Sequence, residues 1–293
     1  MRVGGLSEKL ESNEFVVTAE ITPPKGTDVG RIRNVAMQLK EYIDAANATD
    51  NQRGIVRMSS MATCHILAEV GVEPVMQIAC THRNRIAIQS CVLGAHALNI
   101  PNLLIVTGDH VLLGDNPEAK AVYDVDSIQA IQLVKHMCDG YDSAGNELHP
   151  PPRIYIGATA NPLADPLELQ ALRVEKKVEA GAKFIQTQVV FDVSRLIELL
   201  DLVEVPVHWL AGIMPLRSAK SARFINKRIP GIKVPDHIIT RLEGAKKPAE
   251  EGVQMAIELC QELKNIKKIS GIHIMTIAWE ESVPLIIQGA NLR

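Results

Sequence analysis

The chain has 293 residues, 46% of them hydrophobic and 22% charged, with a formal net charge of -3. A pI of about 6.3 and an aromatic content of only 3% exclude a basic, base-stacking nucleic-acid surface. No apolar run reaches the roughly 18 residues that cross a bilayer, and MRVGGLSEKLESNEF lacks the apolar core of a signal peptide, so a cytoplasmic protein is expected. Cys64, Cys80, Cys91, Cys138 and Cys260 are odd in number and form no CxxC, which predicts reduced, mostly buried thiols and no metal site.

Short apolar, β-branched runs recur along the chain. They predict strands at Phe15–Ile21, Ala45–Asp50, Glu73–Ala79, Asn102–Thr107, Arg153–Ala158, Phe184–Val190, Val207–Gly212 and Ile272–Ile277. The runs are continuous rather than alternating, which suits parallel strands covered on both faces. Helical patterns fill the gaps, at 31–42, 58–70, 83–98, 126–138, 167–180, 193–202, 218–226, 248–264 and 281–288. Gly71 and Gly181 are placed as C-terminal stops and Asp192 as an N-cap. Eight strand–helix units predict a single-domain α/β fold, a (β/α)8 TIM barrel spanning 1–293, with insertions near 139–152 and 230–247. A doubly wound open sheet is the alternative, weakened by the lack of GxGxxG after the first strand.

In such a barrel, function sits where the strands end. Glu20 interrupts FVVTAEI and precedes Thr22-Pro23-Pro24. Desolvation among Val16, Val17, Ala19 and Ile21 should raise its pKa, as a general acid requires; a structural Glu paired with a barrel lysine is the other reading. Asp109 follows Thr107-Gly108, either facing a ligand or capping its own turn. Gln188, among Val189, Val190 and Phe191, can both donate and accept, either to a heterocycle edge or as a buried structural amide. Thr49, Asp50, Gln77, Thr159, Asn161 and Gln186 also stand at or near strand ends. Lys176 and Lys177 read as a solvated pair, unless one reaches over the barrel to an anionic cofactor. Trp209 reads as core, and there is neither a GxSxG elbow nor a P-loop.

The order AEITPPKG, LIVTGD, KKVEAGAKFIQTQVVFD and AGIMP resembles the methylenetetrahydrofolate reductases, flavin-dependent barrels of folate one-carbon metabolism. The resemblance runs from about Phe15 to Glu280, and Glu179–Asp192 is its strongest motif. It implies reduction of 5,10-methylenetetrahydrofolate by hydride from a reduced flavin, FAD in the first instance and FMN as the alternative. It implies that Glu20 protonates the departing nitrogen as the substrate ring opens to an iminium ion, that Asp109 faces the flavin, and that Gln188 reads the folate ring. Thr49, Gln77, Gly108, Tyr123, Asn161 and Lys177 are implied to surround the flavin. No metal is implied.

The sequence departs from the family at several points. Thr107 precedes Gly108-Asp109 where many members have Arg, Gln77 stands for a histidine, and Met275 and Trp279 stand for the usual Tyr and Arg near strand eight. These departures, read with the resemblance, leave two electron donors open, NAD(P)H or an iron–sulfur or zinc partner subunit, and imply an oligomer or hetero-complex. Two other classes compete. A folate-binding methyltransferase barrel would purify without flavin colour. A non-catalytic redox-complex subunit would have no need to retain Glu20, Asp109 and Gln188 together.

Overall fold

Runs of β-branched and small residues form eight strands: β1 (Val16–Ile21), β2 (Ala45–Ala48), β3 (Pro74–Ala79), β4 (Asn102–Val106), β5 (Tyr155–Ala160), β6 (Phe184–Val189), β7 (His208–Ile213) and β8 (Ile269–Ile274). In the computed structural model, which describes residues 5–229 and 231–293, they pair in sequence order and all in parallel. β8 closes on β1, giving the expected (β/α)8 barrel. Pro230, the start of the second predicted insertion, and the first four residues of the N-terminal stretch lie outside the described residues.

Among the described residues eleven α-helices accompany the strands: α1 (Gly5–Glu11), α2 (Val29–Leu39), α3 (Ser60–Val70), α4 (Arg85–Ala97), α5 (Ser127–Cys138), α6 (Leu167–Glu179), α7 (Val193–Leu202), α8 (Ala219–Arg228), α9 (Asp236–Gly244), α10 (Pro248–Lys264) and α11 (Ser282–Gly289). Gly71 ends α3 at φ 88°, and Asp192 caps α7 by accepting from Arg195 N. Insertion 139–152 is a loop with one antiparallel bridge, Tyr141 to Glu147. The described part of 230–247 instead contains α9.

Successive side chains point to opposite faces of a strand, so the barrel has two cores. Outward residues such as Val17, Ile78, Ile105, Ile156, Trp209 and Ile272 pack under the helices. Inward residues Val16, Val75, Leu104, Tyr155, Phe184 and Leu210 fill the N-terminal end together with Leu6 and Leu10 of α1. Helix α1, absent from the expected elements, is thus a plug; two fully buried leucines contribute about 1.5–3 kcal/mol each. Phe184 crosses the barrel centre over Gly157, where a Cβ would meet its ring at 2.1 Å.

Two strands sit elsewhere than expected. β5 starts two residues later than Arg153, and β8 ends at Ile274 instead of Ile277. Neighbouring registers decide both: Tyr155 pairs with Asn102, and Gly271 with Val16. Met275 N still donates to Ile213 O, then the chain turns through Ala278 at φ 51°. Met275 and Trp279 therefore lie on the rim beyond β8.

Candidate functional site at the barrel mouth

Above the apolar plug the barrel interior turns polar. Asn47 and Gln186 exchange two amide hydrogen bonds, 2.7 and 3.3 Å, across the barrel. Thr18 Oγ1 lies 2.8 Å from His273 Nδ1. Burial holds the His273 pKa down to about 3, so its ring is neutral. These four residues form a polar floor under the strand ends. Asn47, Thr18 and His273 were not singled out from the sequence, although His273 interrupts an apolar run as Glu20 does.

Glu20 stands two residues beyond Thr18 on the same face of β1. Burial raises its pKa from 4.5 to about 7, and a hydrogen bond with the Gln77 side chain pulls it back down. Among the described residues no lysine pairs with it, which removes the lysine-paired alternative. Thr49, buried at the end of β2 between Glu20 and Gln77 in strand order, has a hydroxyl without a hydrogen-bond partner. The next residue, Asp50, is tied down: it accepts from Ala79 N at 2.9 Å and forms an ion pair with Arg83. That half-buried pair joins the β2 end to the β3 end and turns Thr49 the other way.

Gly108 follows β4 at φ +86°, where a Cβ would meet Thr81 Oγ1 at 2.5 Å. Only glycine lets this backbone lie so close to the β3 end. Asp109 is exposed and accepts from Arg53 N at 2.5 Å. It therefore ties the loop after β4 to the loop after β2, and does more than cap its own turn. Val122 N donates to Thr81 O at 2.8 Å, which folds the long loop back and brings exposed Tyr123 to the same side, its ring 6.4 Å from His110.

Lys177 departs from the solvated-pair expectation. Lys176 is exposed, but Lys177 is buried and donates from Nζ to Thr159 O at 2.6 Å. Burial foremost, with repulsion from Arg173, lowers its pKa to about 8. Asn161 braces the rim: its Oδ1 accepts from Leu163 N and its Nδ2 donates to Gly231 O.

Gln188 is exposed, which removes the buried structural amide from its two readings. The β6–β7 register shifts between Gln186 and Val189, and Thr187 Oγ1 donates to Gln188 O while accepting from Gly212 N. Such a bulge re-aims a side chain at a barrel rim. Glu20, Thr49 and Gln77 thus form one wall of the mouth, Gly108, Asp109 and Tyr123 continue it, and Gln188 stands on β6. On the far rim Arg217 lies 4.9 Å over the Trp279 ring.

The arrangement combines a carboxyl that can hold a proton at neutral pH, an orphaned buried hydroxyl, a glycine cradle and a buried amine. Those groups fit a flat, polar-edged cofactor seated on the β2–β5 side. Among the described residues no group of three or more His, Cys, Asp or Glu could hold a metal, and no helix is long and apolar enough to cross a membrane. The thiols are free.

The methylenetetrahydrofolate reductase family model matches residues 5–291. The chain is similar to methylenetetrahydrofolate reductase 2 of Schizosaccharomyces pombe, at 23% identity over 100% of this chain and 48% of that protein. It is also similar to a probable methylenetetrahydrofolate reductase (NADPH) of Caenorhabditis elegans, at 24% identity over 81% of this chain and 35% of that protein. The chain thus spans less than half the length of these curated relatives. Among solved structures, a Clostridium thermocellum protein that binds two copies of 5-methyl-5,6,7,8-tetrahydrofolic acid shares the fold, with TM-score 0.70 and 17% identity over 98% of this chain and 100% of that one. With the family pattern matched from the first helix to the last, this chain belongs to the methylenetetrahydrofolate reductase family.

Proposed function

We propose that this barrel reduces 5,10-methylenetetrahydrofolate to 5-methyltetrahydrofolate with the aid of a flavin, and that Glu20 is its general acid. The observation that carries the reading is the Glu20 carboxyl, held by burial at a pKa of about 7 beside Gln77. An acid poised near the working pH is both protonated often enough and strong enough to transfer its proton. Glu20 gives its proton to the nitrogen that departs as the substrate's five-membered ring opens. Gln77 holds the carboxyl in place.

Thr49, Gln77, Gly108, Asp109, Tyr123, Asn161 and Lys177 are the residues that would hold the flavin. The fit rests on the unpartnered Thr49 hydroxyl, the Gly108 cradle and the buried Lys177 amine. A bound reduced flavin, FAD or FMN, supplies the hydride. Asp109 adds negative charge that favours the cationic iminium. Gln188, exposed on its bulge, donates to and accepts from the pterin edge. The solved fold relative that binds 5-methyltetrahydrofolate supports a folate as the ligand.

The electron donor we propose is a partner subunit. Trp279, Met275 and exposed Ile277 give the β8 rim an apolar side, and Arg217 lies over the Trp279 ring and pairs with Glu281, so neither that ring face nor that guanidinium is free. A dinucleotide needs a free stacking surface and donors for its phosphates. Stopped-flow reduction of the flavin-loaded chain tests both parts. Slow bleaching by NADH and NADPH is expected, with fast bleaching by an artificial one-electron donor and reoxidation by methylenetetrahydrofolate. Fast, saturable bleaching by either dinucleotide would remove the partner, and failure of the folate to reoxidise the flavin would remove the reductase reading.

A further inference from the structure

Gln186 and Gln188 stand two apart in FIQTQVV, and strand alternation would put both on one face of β6. Their surroundings differ sharply. Gln186 is buried in the polar floor, bonded to Asn47, whereas Gln188 is exposed at the mouth. The residue between them, Thr187, is buried.

The two glutamines part at the β6–β7 ladder. Phe184, Ile185 and Gln186 pair with His208, Trp209 and Leu210, but two residues further along β7 Gly212 meets Val189 instead of Gln188. One residue of β6 is extra, and the regular run of ladder bonds is broken there. The Thr187 hydroxyl takes the place of a ladder carbonyl. Gly212 N donates to its Oγ1 at 2.9 Å, and Oγ1 donates onward to Gln188 O at 2.7 Å. Acceptor and donor roles are both used, so a buried amide stays satisfied and the Gln188 peptide is held by its carbonyl. Beyond the bulge the ladder resumes, with Val190 N donating to Gly212 O at 2.8 Å.

Gly212 closes this clamp from the β7 side. A Cβ there would lie 2.6 Å from Thr187 O, 2.8 Å from Gln188 O and 2.6 Å from Met275 Cε. A residue without a side chain lets both bulge carbonyls and the Met275 methyl crowd one spot.

We propose that Thr187 is a positioning residue for folate recognition: its hydroxyl holds the β6 bulge and so sets the Gln188 amide at the barrel mouth. This rests on the folate reading above. Without the hydroxyl, Gly212 N regains an acceptor only if β6 slips back into regular register. That slip turns Gln188 in over Gly212, where Met275 already lies, and the mouth loses its amide.

The experiment uses the flavin-loaded protein and measures KM for 5,10-methylenetetrahydrofolate, together with the rate of flavin reduction by an artificial one-electron donor. The variants are Thr187→Val, Thr187→Ser, Gln188→Ala and Thr187→Val/Gln188→Ala. Thr187→Val keeps the β-branched shape and removes both hydrogen bonds. Its KM should rise about five- to tenfold, towards that of Gln188→Ala, while the flavin is reduced at the wild-type rate. Thr187→Ser keeps the hydroxyl and should bring KM back close to wild type. In the double variant KM should equal that of Gln188→Ala, because a residue that acts through Gln188 has nothing left to position; structural damage would multiply in as a second factor. A wild-type KM in Thr187→Val, independent factors in the double variant, or a Ser variant as poor as Val would each overturn the proposal. Should Thr187→Val not fold, Thr187→Ala, which leaves room for a water on Gly212 N, enters the same cycle with the same expectations. A KM unchanged by Gln188→Ala alone would instead overturn the placing of the folate at Gln188, and the positioning role with it.

Discussion

Thr18 Oγ1 lies 2.8 Å from His273 Nδ1, tying β1 to β8 directly beneath the strand end that carries Glu20. The seam of the closed barrel is thus joined by side chains as well as by its backbone ladder. His273 is kept neutral by burial, with a pKa of about 3 against 6.5 when free.

That depression predicts acid sensitivity. Above pH 6.5 both folded and unfolded states hold the ring neutral, and nothing is lost. As pH falls below 6.5 the unfolded state takes up a proton that the folded state refuses, so stability drops progressively down to about pH 3. Between pH 7 and pH 5 the contribution is about 2 kcal/mol. Urea titrations of wild type and His273→Gln at the two pH values should show a larger drop for wild type; parallel drops would sink the assignment.

Glu20→Gln cannot give up a carboxyl proton. Folate reduction should fall by about 10²–10⁴-fold, with flavin content unchanged. Single-turnover reoxidation of the reduced protein by methylenetetrahydrofolate measures this directly, and a near wild-type rate would take Glu20 out of the role.

The raised Glu20 pKa also sets a pH profile. The proton is present below about pH 7 and lost above it, so wild-type folate reduction should decline towards tenfold per unit above pH 7. The stability sign is opposite to that of a salt-bridged carboxylate. Between pH 4.5 and 7 the folded state binds more protons than the unfolded one, so stability falls as pH rises, by roughly 3 kcal/mol overall. Glu20→Gln should therefore gain stability relative to wild type at pH 8 but not at pH 4, a comparison that thermal melts can make.

Gly108→Ala places a Cβ 2.5 Å from Thr81 Oγ1 at φ +86°. Strain of this kind costs about 1–3 kcal/mol, and the loop after β4 must shift away from the β3 end. The expected result is a protein that folds but purifies with a diminished flavin-to-protein ratio, read from its visible absorbance. Full flavin occupancy would show that the cradle is structural only.

Gln188→Ala separates binding from folding. Its side chain is exposed, so unfolding free energy should change by no more than about 0.5 kcal/mol. KM for the folate should rise about tenfold, the loss of one good polar contact. An unchanged KM would place the pterin elsewhere.

Much of this protein was legible in its residues. Eight continuous apolar runs separated by helical periods specify a barrel, because only parallel strands covered on both faces need such runs. Glu20 could be found because a carboxylate inside FVVTAEI conflicts with its surroundings, and AEITPPKG, LIVTGD and EAGAKFIQTQVVFD carried the family. What the sequence could not settle were relations across the barrel. Whether Lys177 lay in solvent or under the rim depended on the packing of α6 against β5. Whether Gln188 was buried depended on a one-residue bulge against β7. The end of β8 was set by its registers with β1 and β7, and α1 became a plug only because the closed barrel left an apolar opening at its N-terminal end. Local pattern specifies which residues resist water, but closure of the ring decides which of the two faces of each strand becomes a floor, a wall or a rim.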